Sequence, residues 1–272
     1  MIDIHTHILP NIDDGARSIE ETFNLIKEAK NAGFESIVLT SHYKEGYYET
    51  DTKEREVWVN AIYENLKAKN IDVKIYLGNE IYMSDNIIKL LEEEKASTIN
   101  DTSYVLFELP QDEEPENLYD KIHEMKQCKI VPILAHPERY KFVQKEPDLV
   151  YELIENGVLI QADYGSIIGE YGEKAQIIVE KMLQSNMVHM LGTNAHRQNT
   201  IYSKMPQILS ELNEIVGEEK LKELTTTNPK LVLGNKRIEI KEPHKIELEL
   251  MEKLKMLKGE SIKNIVKEFL QR

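Results

Sequence analysis

Short apolar segments recur at regular intervals along the chain, separated by longer stretches with the mixed pattern of amphipathic helices. The segments are MIDIHTH, SIVLTSH, VKIYLGNE, SYVLFELP, IVPILAHP, VLIQADY and VHMLGTNAH. They are rich in β-branched residues and too short for core helices, so each one predicts a buried strand. Seven strands alternating with helices predict a parallel sheet with crossover connections.

The helical stretches carry recognisable boundary signals. Ser18 and Glu21 have the spacing of a capping box, and Gly33 follows as a stop, which predicts a helix from Ser18 to Ala32. The stretches EKAQIIVEKML and SKMPQILSELNEIV have the same character. The even spacing of the strands favours one closed or nearly closed α/β barrel, and an open doubly wound sheet is the alternative.

The character of the chain changes after NPKLVLGNKRI, where a charged and amphipathic stretch begins. This change predicts a barrel over residues 1–238 and a helical tail over 239–272. One face of the tail helix is apolar and consists of Ile262, Ile265, Val266, Phe269 and Leu270. We expect the tail to pack on the barrel or on a second subunit, which would allow a homo-oligomer; a separate recognition function is the alternative.

Composition narrows the classes of partner. The 272 residues carry a formal net charge of −14 at pH 7, which argues against nucleic-acid binding. Cys128 is the single cysteine, so no intrachain disulfide can form and a reducing, cytoplasmic location is expected. Neither a signal peptide nor a long apolar run is evident, so membrane insertion is not expected.

Polar residues with metal-binding chemistry close almost every predicted strand. In chain order these residues are His5, His7, His42, Glu80, Glu108, His136, Asn194 and His196. In a parallel α/β barrel the carboxyl ends of all strands lie on one face, where such proteins place their active sites. The other three histidines, His123, His189 and His244, lie in a helix, at the start of a strand and in the tail, and we interpret them as structural or solvent-exposed.

This set of residues predicts a metal centre. Histidines two apart on a strand share a face, so His5 and His7 can reach one ion. Buried carboxylates that converge with imidazoles must be paired or bind metal, because their desolvation is otherwise too costly. Nitrogen and oxygen ligands without thiolate suit manganese, iron, or catalytic zinc or magnesium. The ligands are too many for one ion, and Glu80 is the expected bridge between two ions.

The motifs DIHTH, TSH, GNE, FELP, AHPER and GTNAH resemble those of the polymerase and histidinol phosphatase (PHP) superfamily. The resemblance is specifically to its capsule-locus, manganese-dependent protein tyrosine phosphatases of Gram-positive bacteria, and it covers roughly residues 1 to 235, without the tail. It implies a distorted TIM-like (β/α)7 barrel that holds two or three Mn²⁺ ions.

The resemblance also implies roles for individual residues. The first ion would be held by His5, His7, Glu80 and position 194, the second by Glu80, Glu108 and His136, and the third by Asp14, His42 and His196. Arg139 matches the arginine that binds substrate phosphate and stabilises the charge of the transition state. Asp13 could replace Asp14, although one of two adjacent side chains normally points away.

Two positions depart from the family pattern. Asn194 stands where the family has aspartate in a D-x-H motif, and an uncharged amide should hold the ion less tightly. An engineered inactivating substitution, a natural low-activity variant and tolerated metal binding would each explain it. The arginine expected a few residues later is also missing, with Ile201 near that position, and Arg197 is the candidate replacement.

The leading hypothesis is hydrolysis of phosphotyrosine by a metal-activated hydroxide, with in-line attack and no covalent intermediate. A phenol, with a pKa near 10, leaves without much help from a general acid. By resemblance, the substrate would be a tyrosine cluster on an autophosphorylating kinase that governs exopolysaccharide assembly. The tyrosines after His42, namely Tyr43, Tyr47 and Tyr48, could stack beside the incoming ring.

The sequence bears on three alternatives to metal-dependent hydrolysis of phosphotyrosine. Cysteine-based phosphatase chemistry needs a C-x5-R loop, and Leu134 stands where that arginine would be, which excludes it. A phosphatase of small molecules such as histidinol phosphate remains open. So does a catalytically impaired module that binds phosphotyrosine or a kinase, because Asn194 would weaken catalysis.

Overall fold

The structure is a computed structural model that describes residues 1–256. Its strands are β1 (Ile2–Thr6), β2 (Ser36–Leu39), β3 (His42–Tyr43), β4 (Lys74–Leu77), β5 (Glu80–Tyr82), β6 (Tyr104–Glu108), β7 (Val131–Ala135), β8 (Leu159–Asp163) and β9 (Met190–Gly192). They form two sheets, ordered β1-β2-β4 and β3-β5-β6-β7-β8-β9, and all the strand pairs within both sheets are parallel. The predicted parallel α/β architecture is thereby confirmed.

Helices fill the connections between the strands. They are α1 (Ile19–Asn31), α2 (Thr52–Ala68), α3 (Ile87–Glu92), α4 (Leu118–Gln127), α5 (Lys141–Lys145), α6 (Asp148–Glu155), α7 (Tyr164–Ile167), α8 (Glu173–Gln184), α9 (Met205–Lys222), α10 (Asn228–Leu233) and α11 (Leu250–Met256). Short 3₁₀ turns span Ile99–Asp101, Pro137–Arg139 and Tyr202–Lys204, and a π-helical turn spans Glu223–Thr227.

The second and third apolar segments each form two strands instead of one. The chain leaves the first sheet after Leu39 and again after Leu77, and each time it enters the second sheet after two intervening residues. At the crossing points, the backbone N–H of Thr6 donates to Thr40 Oγ1 at 3.0 Å, and Asn79 Nδ2 donates to the carbonyl of Ser41 at 2.7 Å. These side chains replace backbone hydrogen bonds that an uninterrupted strand would make. The strand interruption depends on these tertiary contacts, so the hydrophobic pattern alone does not predict it.

The sheets curl until the first and last segments meet. A parallel bridge joins Thr6 to Ala195, and the N–H of His7 donates to the carbonyl of Ala195 at 3.0 Å. The N–H of Asn194 donates to the carbonyl of His5 at 2.9 Å. The distorted barrel is therefore confirmed, and the open doubly wound sheet is not.

The helix boundaries follow the signals in the sequence. Ser18 Oγ caps α1 by accepting from the N–H of Glu21 at 3.2 Å, and Gly33 follows the helix with φ +94°. The Glu21 carboxylate closes back on the N–H of Arg17 at 2.8 Å, one residue earlier than in a standard capping box. Regular α-helical geometry in α9 is interrupted at Gly217, at φ 77°, directly after the predicted end of that helix.

The core lies on both faces of the strands. A large cluster packs between the strands and the helices, and a smaller one includes Ile4, Leu106 and Ile133 on the opposite face. On β6, Tyr104 and Leu106 belong to the smaller cluster, whereas Val105 and Phe107 belong to the larger one. The two-residue period of a strand continues from Leu106 to Glu108, so this carboxylate leaves the sheet at the mouth of the barrel.

The described part of the tail contacts the barrel. Lys181 Nζ lies 3.0 Å from Glu252, and Lys255 Nζ lies 2.9 Å from Glu173, which joins α11 to α8. The five apolar tail positions from Ile262 to Leu270 lie outside the described residues. The boundary at residue 238 stays a prediction. Within residues 1–256, no helix is long and apolar enough to cross a membrane.

Among His123, His189 and His244, the three histidines away from the predicted metal centre, His189 is the buried one. Its Nδ1 accepts from the N–H of Ile160 at 3.1 Å, which requires a neutral ring. Burial, reinforced by the charge of Lys220, lowers the pKa of His189 from 6.5 to about 4. Between these values the unfolded chain binds more protons than the folded one, so stability falls as the pH falls below 6.5.

We predict that His189→Asn reduces the pH dependence of stability, because asparagine can accept the same hydrogen bond and does not titrate. The free energy of unfolding should fall by about 2 kcal/mol less between pH 7.5 and pH 5 in the variant than in the unaltered chain. Urea unfolding at the two pH values measures this difference. His123→Asn, at an exposed histidine of α4, is the matched control, and equal pH slopes for all three proteins would contradict the prediction.

Candidate metal centre

The fold gathers the predicted strand-end residues at one mouth of the barrel. His5 lies on β1 and His7 follows it. The other ligand candidates also lie at strand ends: His42 and Glu80 begin β3 and β5, Glu108 ends β6, His136 follows β7, and Asn194 and His196 follow β9. His136 and Asn194 both have left-handed backbone geometry, with φ 37° and 51°. Such geometry is costly for histidine and turns the chain sharply at the strand end.

The deepest part of the site combines His5, His7 and Glu80, all of which are fully buried. The two Nε2 atoms lie 2.9 Å apart, and each lies 3.2 Å from Glu80 Oε2. These three groups form one of the clusters whose ligand atoms are close enough together to hold a metal ion.

A second cluster shares Glu80 and adds His42 and Glu108. His42 Nδ1 lies 3.0 Å from Glu80 Oε2 and 3.1 Å from Glu108 Oε1, yet neither His42 Nδ1 nor Glu80 Oε2 makes a hydrogen bond of acceptable geometry within the described chain. The atoms are close because they point toward a common position, not because they bond to each other.

The charges of this cluster are strongly coupled. Burial disfavours the charged ring of His42, but the carboxylates of Glu80 and Glu108 outweigh it and raise the pKa of His42 to about 12. Burial likewise opposes ionisation of Glu80, and the charges of His5 and His42 nevertheless hold the pKa of Glu80 well below its usual range. The site therefore favours an ionised carboxylate surrounded by positive charge, which a bound cation also supplies.

A third, more open cluster contains His7, Asp14, His42 and His196. Asp14 Oδ1 lies 3.2 Å from His196 Nε2 and 3.6 Å from His42 Nε2. The hydrogen bond with His196 lowers the pKa of Asp14. The rings of His7 and His196 stack with centroids 4.1 Å apart.

The two adjacent aspartates have different positions. Asp14 faces the cluster, whereas Asp13 lies behind it, with Oδ2 2.8 Å from His7 Nδ1 and accepting from the N–H of His42 at 2.9 Å. A carboxylate on the far nitrogen of a metal-binding histidine fixes the ring orientation and its tautomer. Asp13 thus orients His7 so that Nε2 faces the cluster.

His136 lies beside Glu80, one of the two carboxylates with which the resemblance groups it. Its Nε2 lies 2.8 Å from Glu80 Oε1. The cluster of Glu80 and Glu108 is completed by His42 in this structure, and His136 contacts it through Glu80.

Arg139 reaches the same pocket from the 3₁₀ turn after β7. Its NH1 donates to Asp163 Oδ2 at 3.0 Å, and its guanidinium lies 4.2 Å from the ring centroid of Tyr171. Despite burial, the negative charge of Asp163 raises the pKa of Arg139, so the group stays cationic.

Three functional neighbours were missed from the sequence. Asp163 ends β8 and is fully buried, and Gln161 on the same strand lies 2.7 Å from His5 Nδ1 through Oε1. Glu138 Oε1 accepts from the N–H of Asp163 at 2.9 Å and from Ser166 at 2.7 Å, and burial raises the pKa of Glu138 to about 7. Asp163 could have been found from the sequence. It stands at the end of the strand segment VLIQADY, in the same position as the strand-end residues of the other six segments.

Two residues proposed for substrate contact do not reach the pocket. The side chain of Tyr43 is only 3% exposed and packs in the larger core cluster. The Arg197 guanidinium donates to the backbone carbonyls of Gly15 and His196. The pocket, with a volume of ≈ 360 Å³, is instead bordered by Lys44, Tyr48 and Tyr82.

Comparisons with known proteins agree with these features. The family model "Capsular polysaccharide synthesis, CpsB/CapC" matches residues 1–234. CapC of Staphylococcus aureus is 33% identical over 238 residues, covering 88% of this chain and 93% of that protein. Tyrosine-protein phosphatase YwqE of Bacillus subtilis is 29% identical over 238 residues, with the same coverage of 88% and 93%.

A solved structure supports the same family relationship. It comes from work on YwqE of Bacillus subtilis and CpsB of Streptococcus pneumoniae, described as unique metal-dependent tyrosine phosphatases. It superimposes with a TM-score of 0.86 at 28% identity and covers 91% of this chain and 100% of that one. The family resemblance seen in the strand-end motifs is confirmed, and the chain belongs to the CpsB/CapC family of capsular polysaccharide synthesis.

Proposed function

We propose that this chain is a metal-dependent protein tyrosine phosphatase that uses two or three Mn²⁺ ions. The observation that carries the proposal is the convergence of three metal-binding clusters on Glu80 and His42, beside the guanidinium of Arg139. Relatives in the family are named tyrosine-protein phosphatases, in agreement with this chemistry. We further propose that the substrate is a cytoplasmic tyrosine kinase that controls exopolysaccharide or capsule assembly.

The donor atoms of the site fit divalent cations. The nitrogen and oxygen set without thiolate suits manganese, and Glu80 Oε2 has no hydrogen-bond partner within the described chain although it is fully buried. We assign the ions to His5, His7, Asp14, His42, Glu80, Glu108, His136, Asn194 and His196. When bound, such ions supply Lewis acidity, which generates a nucleophile from water at neutral pH and neutralises phosphate oxygens.

The residues of the chain position the phosphoryl group. Arg139 and Lys44 are the lysine and arginine side chains that border the pocket among the described residues. Asp163 occupies one side of the Arg139 guanidinium, and the remaining N–H groups of the fork can bind two phosphate oxygens. We therefore assign transition-state stabilisation to Arg139, and we assign to Glu80 and Glu108 the catalytic role of holding the cations.

Aromatic side chains at the rim suit a phenyl ester. The ring of Tyr48 stacks on His42 with centroids 5.8 Å apart and an angle of 15°, and Lys44 Nζ lies 3.8 Å from the ring centroid of Tyr82. A tyrosine ring can stack in such surroundings, whereas an alkyl phosphate gains little from them. Of the three tyrosines expected to stack beside the substrate ring, we keep Tyr48 in this role, and we add Tyr82.

Substrate preference tests the function. With Mn²⁺ present, we expect the chain to hydrolyse phosphotyrosine peptides at least tenfold faster, as kcat/KM, than histidinol phosphate or another alkyl phosphate, because phenol is the better leaving group. Release of inorganic phosphate measures both. Cys128→Ser, at an exposed cysteine, should retain full activity. Preference for the alkyl ester would favour the small-molecule phosphatase, and no hydrolysis despite metal binding would favour the binding module.

Metal content tests the role of Glu80. Glu80→Gln removes the charge shared by two clusters, and we expect Mn²⁺ affinity to fall by about 100-fold or more, since even residues behind the ligands contribute 10- to 100-fold. Calorimetric titration of the metal-free protein measures the affinity. Glu116→Gln, at an exposed position, is the matched control. Unchanged Mn²⁺ affinity in Glu80→Gln would exclude Glu80 as a ligand.

Arg139 is tested by the most conservative substitution. Lysine keeps the positive charge but lacks the planar guanidinium with its paired N–H donors. Arg139→Lys should therefore lower kcat/KM for an aryl phosphate by roughly 10²-fold, a typical effect for the loss of one transition-state donor. Steady-state kinetics with p-nitrophenyl phosphate give this ratio. The exposed Arg237 supplies the control Arg237→Lys, which should behave as the unaltered chain does. A loss under threefold in Arg139→Lys would remove Arg139 from the mechanism.

A further inference from the structure

The amide of Asn194 has a defined orientation. Its Nδ2 donates to Asp163 Oδ2 at 3.2 Å, and because an ionised carboxylate only accepts, the amide cannot be reversed without losing this bond. Its Oδ1 is buried and has no hydrogen-bond partner within the described chain. Asn194 borders the same pocket as Glu80 and Arg139, so Oδ1 is left available for a cation there.

Asp163 connects three groups of the site. Oδ2 also accepts from Arg139 NH1 at 3.0 Å, and Oδ1 accepts from Gln161 Nε2 at 3.1 Å. The other end of the Gln161 amide lies 2.7 Å from His5 Nδ1. One fully buried carboxylate thus orients the side chains of Asn194 and Arg139 directly, and that of His5 through one intermediate.

The place of Asp163 in the sheet gives it access to both sides of the site. β8 pairs with β9 and Asp163 lies opposite Gly192, two residues before Asn194. A negative charge at Asp163 is therefore next to the position where the family pattern has its D-x-H aspartate. Two ionised carboxylates at the distance that separates these side chains would repel strongly in a buried environment.

We propose that Asp163 supplies, from the neighbouring strand, the negative charge that Asn194 lacks. Asp163 is a positioning residue: it holds Asn194 with Oδ1 toward the cation held by His5, His7 and Glu80, and it holds Arg139 toward the phosphate. Asn194 is then the amide half of a carboxylate and amide pair, not a defect of the site. This inference rests on the metal-dependent function proposed above.

The proposal makes the two positions interdependent in their effect on Mn²⁺ affinity, whereas a purely structural contact would couple them in stability alone. Asp163→Asn should lower Mn²⁺ affinity at least tenfold and weaken binding of inorganic phosphate. Asn194→Asp should lower the melting temperature of the metal-free protein, because it places a second carboxylate beside Asp163. The double variant restores one carboxylate and one amide, and it should return the affinity and the metal-free melting temperature to within about threefold and a few degrees of the unaltered chain.

The experiment is a double-mutant cycle on the full chain. Calorimetry with Mn²⁺ and scanning of thermal unfolding without metal are the readouts, and p-nitrophenyl phosphate turnover is measured alongside. Asp120→Asn, at an exposed position of α4, is the control for the loss of an aspartate. Mutual rescue in the double variant supports the proposal, even if Asp163→Asn alone folds poorly.

Two results would overturn the inference while leaving the proposed function intact. One is an unchanged Mn²⁺ affinity in Asp163→Asn, and the other is a double variant whose losses equal the sum of the single losses. If the unaltered chain neither binds Mn²⁺ nor hydrolyses the aryl phosphate, the proposed function fails, and this inference fails with it.

Discussion

A carboxylate buried among imidazoles is the constraint on which the rest of the molecule depends. Glu80 is fully buried, and the rings of His5, His7, His42 and His136 approach its two oxygens within 2.8 to 3.2 Å. Such a charge is tolerated only where opposite charge surrounds it, because its desolvation costs several kcal/mol. The four rings come from two strand segments and one turn, so the barrel must curl to bring them together.

The interruption of two strands serves this constraint. A continuous second or third strand would keep its backbone in the first sheet, whereas the break lets His42 and Glu80 begin new strands that pair in register with each other. The residues at the breaks are small or polar, Thr40 and Ser41 in one strand and Gly78 and Asn79 in the other. Their side chains and the buried Arg55, which donates to the carbonyl of Gly78 at 2.6 Å, satisfy the backbone groups released at these points.

Much of this arrangement can be predicted from the sequence. Where a prediction fails, the failure has a physical cause. The strand segments, the helix caps and the polar strand ends follow local rules of periodicity and hydrogen bonding, so they can be predicted. The direction of a single tyrosine side chain cannot be predicted in this way: Tyr43 is buried in the core at the end of β3, whereas Tyr48, five residues later, borders the pocket. The roles of Asp163 and Arg197 depend on which groups lie opposite them across the fold, and no local pattern carries that information.

The closure of the barrel also determines when the site can exist. Thr193 Oγ1 donates to Asp3 in a hydrogen bond that spans 190 residues, and the bridge from Thr6 to Ala195 lies beside it. Contacts between residues so distant in sequence form late in folding, because closing the long loop between them lowers the entropy of the chain before the contacts can stabilise the fold. During synthesis, His5 and His7 leave the ribosome long before Asn194 and His196. The ions proposed above would therefore meet a nearly finished barrel, whose geometry and not the two early histidines alone would decide which ion is retained.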